Sequence, residues 1–106
     1  MIQVIVKKQE NRITGFHIEG HSGYAGRGSD IVCAAVSALS LNCVNSVDQF
    51  TEDAFTVESD EDRGLLDFEL TSVVSEQSKL LLQSLLLGIR GIEKAYGSQY
   101  VSIINR

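Results

Sequence analysis

The chain has no excess of positive charge. Its 9 Lys and Arg face 14 Asp and Glu, for a net charge of −5 over 106 residues. Without a basic field, general attraction to nucleic acid is excluded, leaving room only for a small local patch. No apolar run approaches the roughly 20 residues of a membrane span. The stretch Met1-Ile2-Gln3-Val4-Ile5-Val6-Lys7 alternates like a strand and lacks the layout of a secretory signal. These absences predict a cytoplasmic protein with no membrane and no direct nucleic-acid partner. Cysteine is scarce as well, with only Cys33 and Cys43 present. Both fall on one predicted helix, roughly 15 Å apart along its axis at 1.5 Å per residue. A disulfide needs Cα atoms within about 7 Å. Two free thiols in a reducing compartment are therefore expected. Linkers, repeats and low-complexity tracts are missing too, so residues 1–106 read as a single domain with one core.

What is present is a clear alternation of periods. Residues 2–8 read as a strand with Ile2, Val4 and Val6 on one face. After a turn at Glu10-Asn11, Arg12 to about Gly20 forms a second strand. Phe16 and Ile18 face its core side; His17, Glu19 and, if the strand runs on, His21 lie opposite. Asp30 to Phe50 reads as a helix with Val32, Val36, Leu39, Cys43, Val47 and Phe50 as its buried stripe. Its first half, apolar almost all round, predicts deep packing there. Residues 53–59 and 64–71 form a second hairpin around the polar turn Ser59 to Gly64. The acidic run in that turn reads as a solvated tip, because a calcium loop requires more ligands at other spacings.

Ser75 is expected to cap a second helix that ends before Gly97. Leu81, Leu82, Leu85, Leu86, Ile89, Ile92 and Tyr96 make its broad apolar face. Leu80 and Leu87 fall outside that face, beside a small-residue side of Ser84, Gly88, Gly91 and Ala95. Such a helix has two surfaces to cover, the second by the other helix or by a second subunit. Glycines at 88 and 91 cost helix stability, which close backbone approach would explain. Tyr100 to Ile104 is a last strand. The expected fold class is α/β (α+β) in ββαββαβ order, one mixed or antiparallel sheet with two packed helices.

Chemistry concentrates between the second strand and the first helix. The stretch Ser22-Gly23-Tyr24-Ala25-Gly26-Arg27-Gly28-Ser29 is a glycine-rich loop that lets backbone pass close to a ligand. Ser29 or Asp30 is suited to cap the helix, which puts Cys33 in its first turn. There the unpaired N–H groups and the helix dipole favour a thiolate. His21 stands at the other end of the loop. If the loop folds back, a base meets a low-pKa thiol, the arrangement of a cysteine nucleophile. Cys33 also has a plain reading as a small buried residue, and Cys43, on the packing stripe, reads as structural.

Asp30 has two readings, as the helix cap or as a third group orienting the His21 imidazole. Ser37, one turn after Cys33, could hydrogen-bond near the thiol or to its own helix backbone. Backbone N–H groups around Cys33 are candidates for an oxyanion hole. His17 and His21 are about 13 Å apart on a strand, too far to share a metal ion, and no metal or other cofactor is expected. The spacing Gly23-x-x-x-x-Gly28-Ser29 weakly suggests a phosphate-binding loop, but the lysine that should follow its last glycine is missing.

The run Gly20-His21-Ser22-Gly23-Tyr24-Ala25-x-x-Gly28-x-Asp30-Ile31-Val32-Cys33-Ala34-Ala35-Val36-Ser37 closely resembles the signature of the bacterial ribosomal-processing cysteine proteases, the Prp (YsxB-like) family. Length and element order extend the resemblance over nearly the whole chain. It implies a catalytic pair at His21 and Cys33, support from Asp30 and Ser37, and a mobile substrate-binding loop over 22–29. It further implies a cytoplasmic homodimer that removes the N-terminal extension of a large-subunit ribosomal protein, cutting after a segment that ends in aromatic residues. Two other classes stay open on the residues alone. One is a non-catalytic ribosome-associated binding module; the other is an anion- or nucleotide-binding domain using the glycine loop.

Overall fold

The computed structural model describes residues 1–26 and 30–105. Seven elements follow in order: β1 (Ile2–Gln9), β2 (Arg12–Glu19), α1 (Ile31–Phe50), β3 (Phe55–Asp60), β4 (Leu65–Leu70), α2 (Glu76–Tyr96) and β5 (Val101–Asn105). The strands make one sheet in the order β3-β4-β2-β1-β5. Every pairing is antiparallel except β1 with β5, which is parallel. The ββαββαβ order and mixed sheet are those expected.

Local chemistry explains the boundaries. Glu10 and Asn11 take φ of 54° and 67°, the left-handed pair that closes a two-residue hairpin with the right twist. Asp30 caps α1 and Ser75 caps α2, each in extended backbone with its side chain accepting first-turn N–H groups. The third strand begins at Phe55, later than expected, because Asp53 is turned toward α2. Its carboxylate accepts from Ser75 N–H at 3.0 Å and from the Ser75 and Ser78 hydroxyls at 2.7 and 2.6 Å.

Both helices cover one face of the sheet. Val4, Val6, Phe16, Ile18, Phe68 and Val101 point up from the strands and meet Val32, Val36, Val47, Leu82, Leu85 and Ile89. Phe16 and Phe68 face each other across β2 and β4, rings stacked at 5.4 Å, and neither is exposed by more than 1%. Each buried ring of this size contributes about 2 to 3 kcal/mol of apolar burial. The opposite face is polar, with Lys7, His17, Asp67 and Glu69 forming ion pairs.

The helices depart from the expected stripes in three places. Phe50 is 71% exposed, because α1 has run past the sheet by its last turn. Ser40 and Ser46 are buried on the stripe instead, and Ser40 Oγ bonds the Val36 carbonyl at 2.6 Å. The first half of α1 is packed on one side only: Ile31, Ala34, Ser37 and Ala38 are exposed. On α2, Gly88 is a close approach, since a Cβ there would lie 2.8 Å from Leu39 Cδ1. Among the described residues nothing lies within 4 Å of a Cβ at Gly91, and Leu80 and Leu87 are exposed, so those residues cover the second surface of α2 only in part. Contrary to the expectation for apolar runs, α1 is long and apolar enough to cross a membrane by length and composition. Here its apolar side is a core helix face packed on the sheet and α2.

Candidate active site

The end of β2, the turn between β3 and β4, and the start of α1 converge on a cleft of about 470 Å³. Ile18, Leu65 and Leu66 give it an apolar floor, while His21, Asp30, Cys33 and Ser37 line it with Asp60 and Glu61 at its rim. That is the size and mixed chemistry of a ligand site.

Gly20 turns the chain out of β2 at φ +107°, and a Cβ there would strike the Met1 carbonyl at 2.4 Å. His21 follows, half-buried, with Nε2 3.1 Å from the Asp62 carbonyl in the β3–β4 turn. A carbonyl only accepts, so that contact puts the ring hydrogen on Nε2 and leaves Nδ1 as the basic nitrogen.

Cys33 is half-buried in the first turn of α1. The backbone N–H of Ser22 donates to its Sγ at 3.2 Å. The residue next to His21 thus touches the thiol directly. Ser22 is itself buried, and its hydroxyl donates to the Asp30 carboxylate while accepting from Tyr24 N–H at 3.1 Å.

Asp30 is the hub of this arrangement. Its Oδ1 accepts from the N–H groups of Val32 at 3.0 Å and Cys33 at 2.9 Å; its Oδ2 takes the Ser22 hydroxyl and Ala25 N–H. Burial pushes the carboxyl upward, but the bonds from Ser22, Cys33, Ala25 and Val32 outweigh it and hold the group at about 2. Asp30 thus caps α1 in this structure, and the hydrogen-bond partner found for the His21 ring is the Asp62 carbonyl. The Val32 and Cys33 N–H groups, candidates for an oxyanion hole, are already taken by that cap. Ser37 sits exposed on the cleft wall one turn after Cys33.

In the glycine loop, Gly23 takes φ +73° and Tyr24 leaves the cleft to meet Tyr96 and Tyr100 edge-on, at 5.5 and 5.2 Å between ring centres. Ala25 and Gly26 are exposed beyond it. Arg27, Gly28 and Ser29 lie outside the described residues. His17 is remote from this chemistry, on the polar face of the sheet between Asp67 at 2.7 Å and Glu19 at 3.0 Å. Cys43 is buried in the core, where burial pushes its thiol up to about 11. Sequence reasoning missed the Asp62 carbonyl and the Ser22 N–H. Neither had a signal, since every residue carries these backbone groups.

A cysteine in the first turn of a helix, an imidazole bonded through Nε2 to a carbonyl and an apolar-floored cleft that both line are the features of a cysteine peptidase on an α/β fold. The comparisons with known proteins point the same way. Residues 1–102 match the cysteine protease Prp family. The chain is 29% identical over 101 residues to the ribosomal processing cysteine protease Prp of Bacillus subtilis, covering 91% of this chain and 90% of that one. It is 27% identical over 92 residues to the same protein of Staphylococcus aureus, covering 87% of each. The crystal structure of Prp from S. aureus with a covalently linked product peptide superposes with a TM-score of 0.92, at 25% identity and full coverage of both chains. This chain belongs to the cysteine protease Prp family.

Proposed function

We propose that this protein is a cytoplasmic endopeptidase that removes the N-terminal extension of a large-subunit ribosomal protein, with Cys33 as nucleophile and His21 as general base and acid. One observation carries the assignment of residues: Ser22 N–H reaches Cys33 Sγ, tying the histidine segment to the thiol across the cleft. The Cys33 proton passes to His21 Nδ1, and the thiolate attacks the scissile carbonyl. The imidazolium returns its proton to the departing amine. Water, deprotonated by the same histidine, then releases the acyl group and restores the thiol. The relatives' name, ribosomal processing protease, supports the substrate class, and the net charge of −5 suits a basic substrate. Exposed Leu80 and Leu87 on α2 support a homodimer through that helix. An anion-binding role is disfavoured because the Asp30 carboxylate already occupies the Val32 and Cys33 N–H groups.

The test is cleavage of the extended ribosomal protein by wild type, Cys33→Ser and His21→Ala, followed by mass spectrometry. Release of one defined N-terminal peptide by wild type only is the expected result. Intact substrate after incubation with folded wild type would refute the proposal and favour a binding module.

A further inference from the structure

The β3–β4 turn does more than border the cleft. It is built as a rigid support against the histidine. Asp60 Oδ1 accepts from the N–H groups of Asp62 at 3.0 Å and Arg63 at 3.4 Å, and Gly64 N–H closes the turn on the Glu61 carbonyl at 3.1 Å. Two further links fasten this turn to the end of β2. Gly20 N–H donates to the Arg63 carbonyl at 3.0 Å. The Arg63 guanidinium donates through Nε at 3.1 Å and Nη2 at 2.8 Å to Glu19 Oε2. Glu19 is steadied in turn by His17 Nε2 at 3.0 Å from its other oxygen. The fit leaves no slack at Gly64, where a Cβ would lie 2.3 Å from the Gly20 carbonyl and 3.3 Å from His21 Cε1.

We propose that the Asp62 main-chain carbonyl is the group that orients the catalytic imidazole, and that Glu19 and Arg63 are positioning residues that hold this carbonyl on His21 Nε2. The proposal rests on the reading of His21 as the general base. A base needs a free lone pair, and the Nε2–H bond to Asp62 selects the tautomer that leaves one on Nδ1. When Nδ1 takes the Cys33 proton, the Asp62 carbonyl dipole stays on Nε2–H and stabilises the imidazolium. A carboxylate commonly fills this place in hydrolases; here Asp30 is committed to the helix cap and the carbonyl replaces it. Glu19 and Arg63 touch neither thiol nor peptide. They act by fixing a ring orientation, and small misplacements of such a group are costly in rate.

The experiment measures peptide cleavage by wild type, Arg63→Ala, Glu19→Gln, Arg63→Lys and His21→Ala, together with the ring nitrogen shifts of His21 by NMR. Arg63→Ala and Glu19→Gln should lower kcat on the order of tenfold with KM nearly unchanged. Arg63→Lys, which keeps the charge, should recover part of the loss. Wild type should show one tautomer protonated at Nε2, and Arg63→Ala a mixture, a readout that needs no activity and that a merely structural role would not move. If His21→Ala is inactive while Arg63→Ala and Glu19→Gln cleave like wild type and keep the single tautomer, the positioning proposal alone is overturned. If His21→Ala cleaves like wild type, the general-base reading falls and this proposal with it.

Discussion

Removing the Asp30 carboxylate should unfasten the helix start, the thiol and the glycine loop together. In Asp30→Ala, the Val32 and Cys33 N–H groups lose their shared acceptor. Loss of such a cap costs about 1 kcal/mol. The Ser22 hydroxyl, in a residue only 3% exposed, loses its acceptor as well. A buried hydroxyl left unpaired adds about 1 to 3 kcal/mol. A total near 3 kcal/mol is expected in urea unfolding. The same hydrogen bonds also make this stability depend on pH. A carboxyl lowered from 3.8 to about 2 prefers its charged form in the folded state, a preference of about 2 kcal/mol. Because the folded value is the lower one, this stability is complete above pH 3.8 and is lost as the pH falls toward about 2. Asp30→Asn keeps a capping oxygen but no charge, so its stability should lack that acid step and lie between the other two. A cost below about 0.5 kcal/mol for Asp30→Ala would refute the account of Asp30 as the hub.

Two further outcomes test the frame around the site. His17 is raised from 6.5, chiefly by its bond to Asp67, against opposing burial and with help from Glu19. Its contribution to stability is therefore complete below pH 6.5 and lost as the pH rises through the higher folded value, so wild type should lose its advantage over His17→Gln across that range in urea unfolding; parallel curves would exclude the effect. Gly91→Ala has open space around it and should stabilise the isolated chain by up to about 1 kcal/mol. At Gly88 the same change meets Leu39 and should gain little; a marked loss at Gly91 would mean that a second copy packs there.

The order of elements was legible because each type leaves a period and a cap. Phe16 and Ile18 mark the core face of β2, and Asp30 and Ser75 place the starts of the two helices. The apolar surroundings of α1 misled, because burial depends on what stands opposite. Ile31 and Phe50 are as apolar as Val32 and Val47, but the sheet reaches only the latter pair. The same limit applies to Gly88 and Gly91, identical in sequence terms and different in what faces them. His21 and Cys33 could be singled out because side-chain type carries their chemistry. The Asp62 carbonyl could not, since its role comes from its position alone.

That position is set by strand register. β2 pairs with β4 with Phe16 opposite Phe68 and Ile18 opposite Leu66. Continued toward the end of β2, the same register brings the β3–β4 turn beside Gly20 and His21, where Arg63 and Asp62 make their bonds. A slip by one residue would turn Phe68 and Leu66 to the polar face and move the Asp62 carbonyl by about 3.3 Å. The first consequence costs several kcal/mol of buried apolar surface, far more than a single exposed hydrogen bond to an imidazole supplies. The core therefore enforces the geometry of the site. His21 is held in a defined orientation beside the cleft less by the strength of its own hydrogen bond than by the β2–β4 register, which Phe16 opposite Phe68 and Ile18 opposite Leu66 fix from the core.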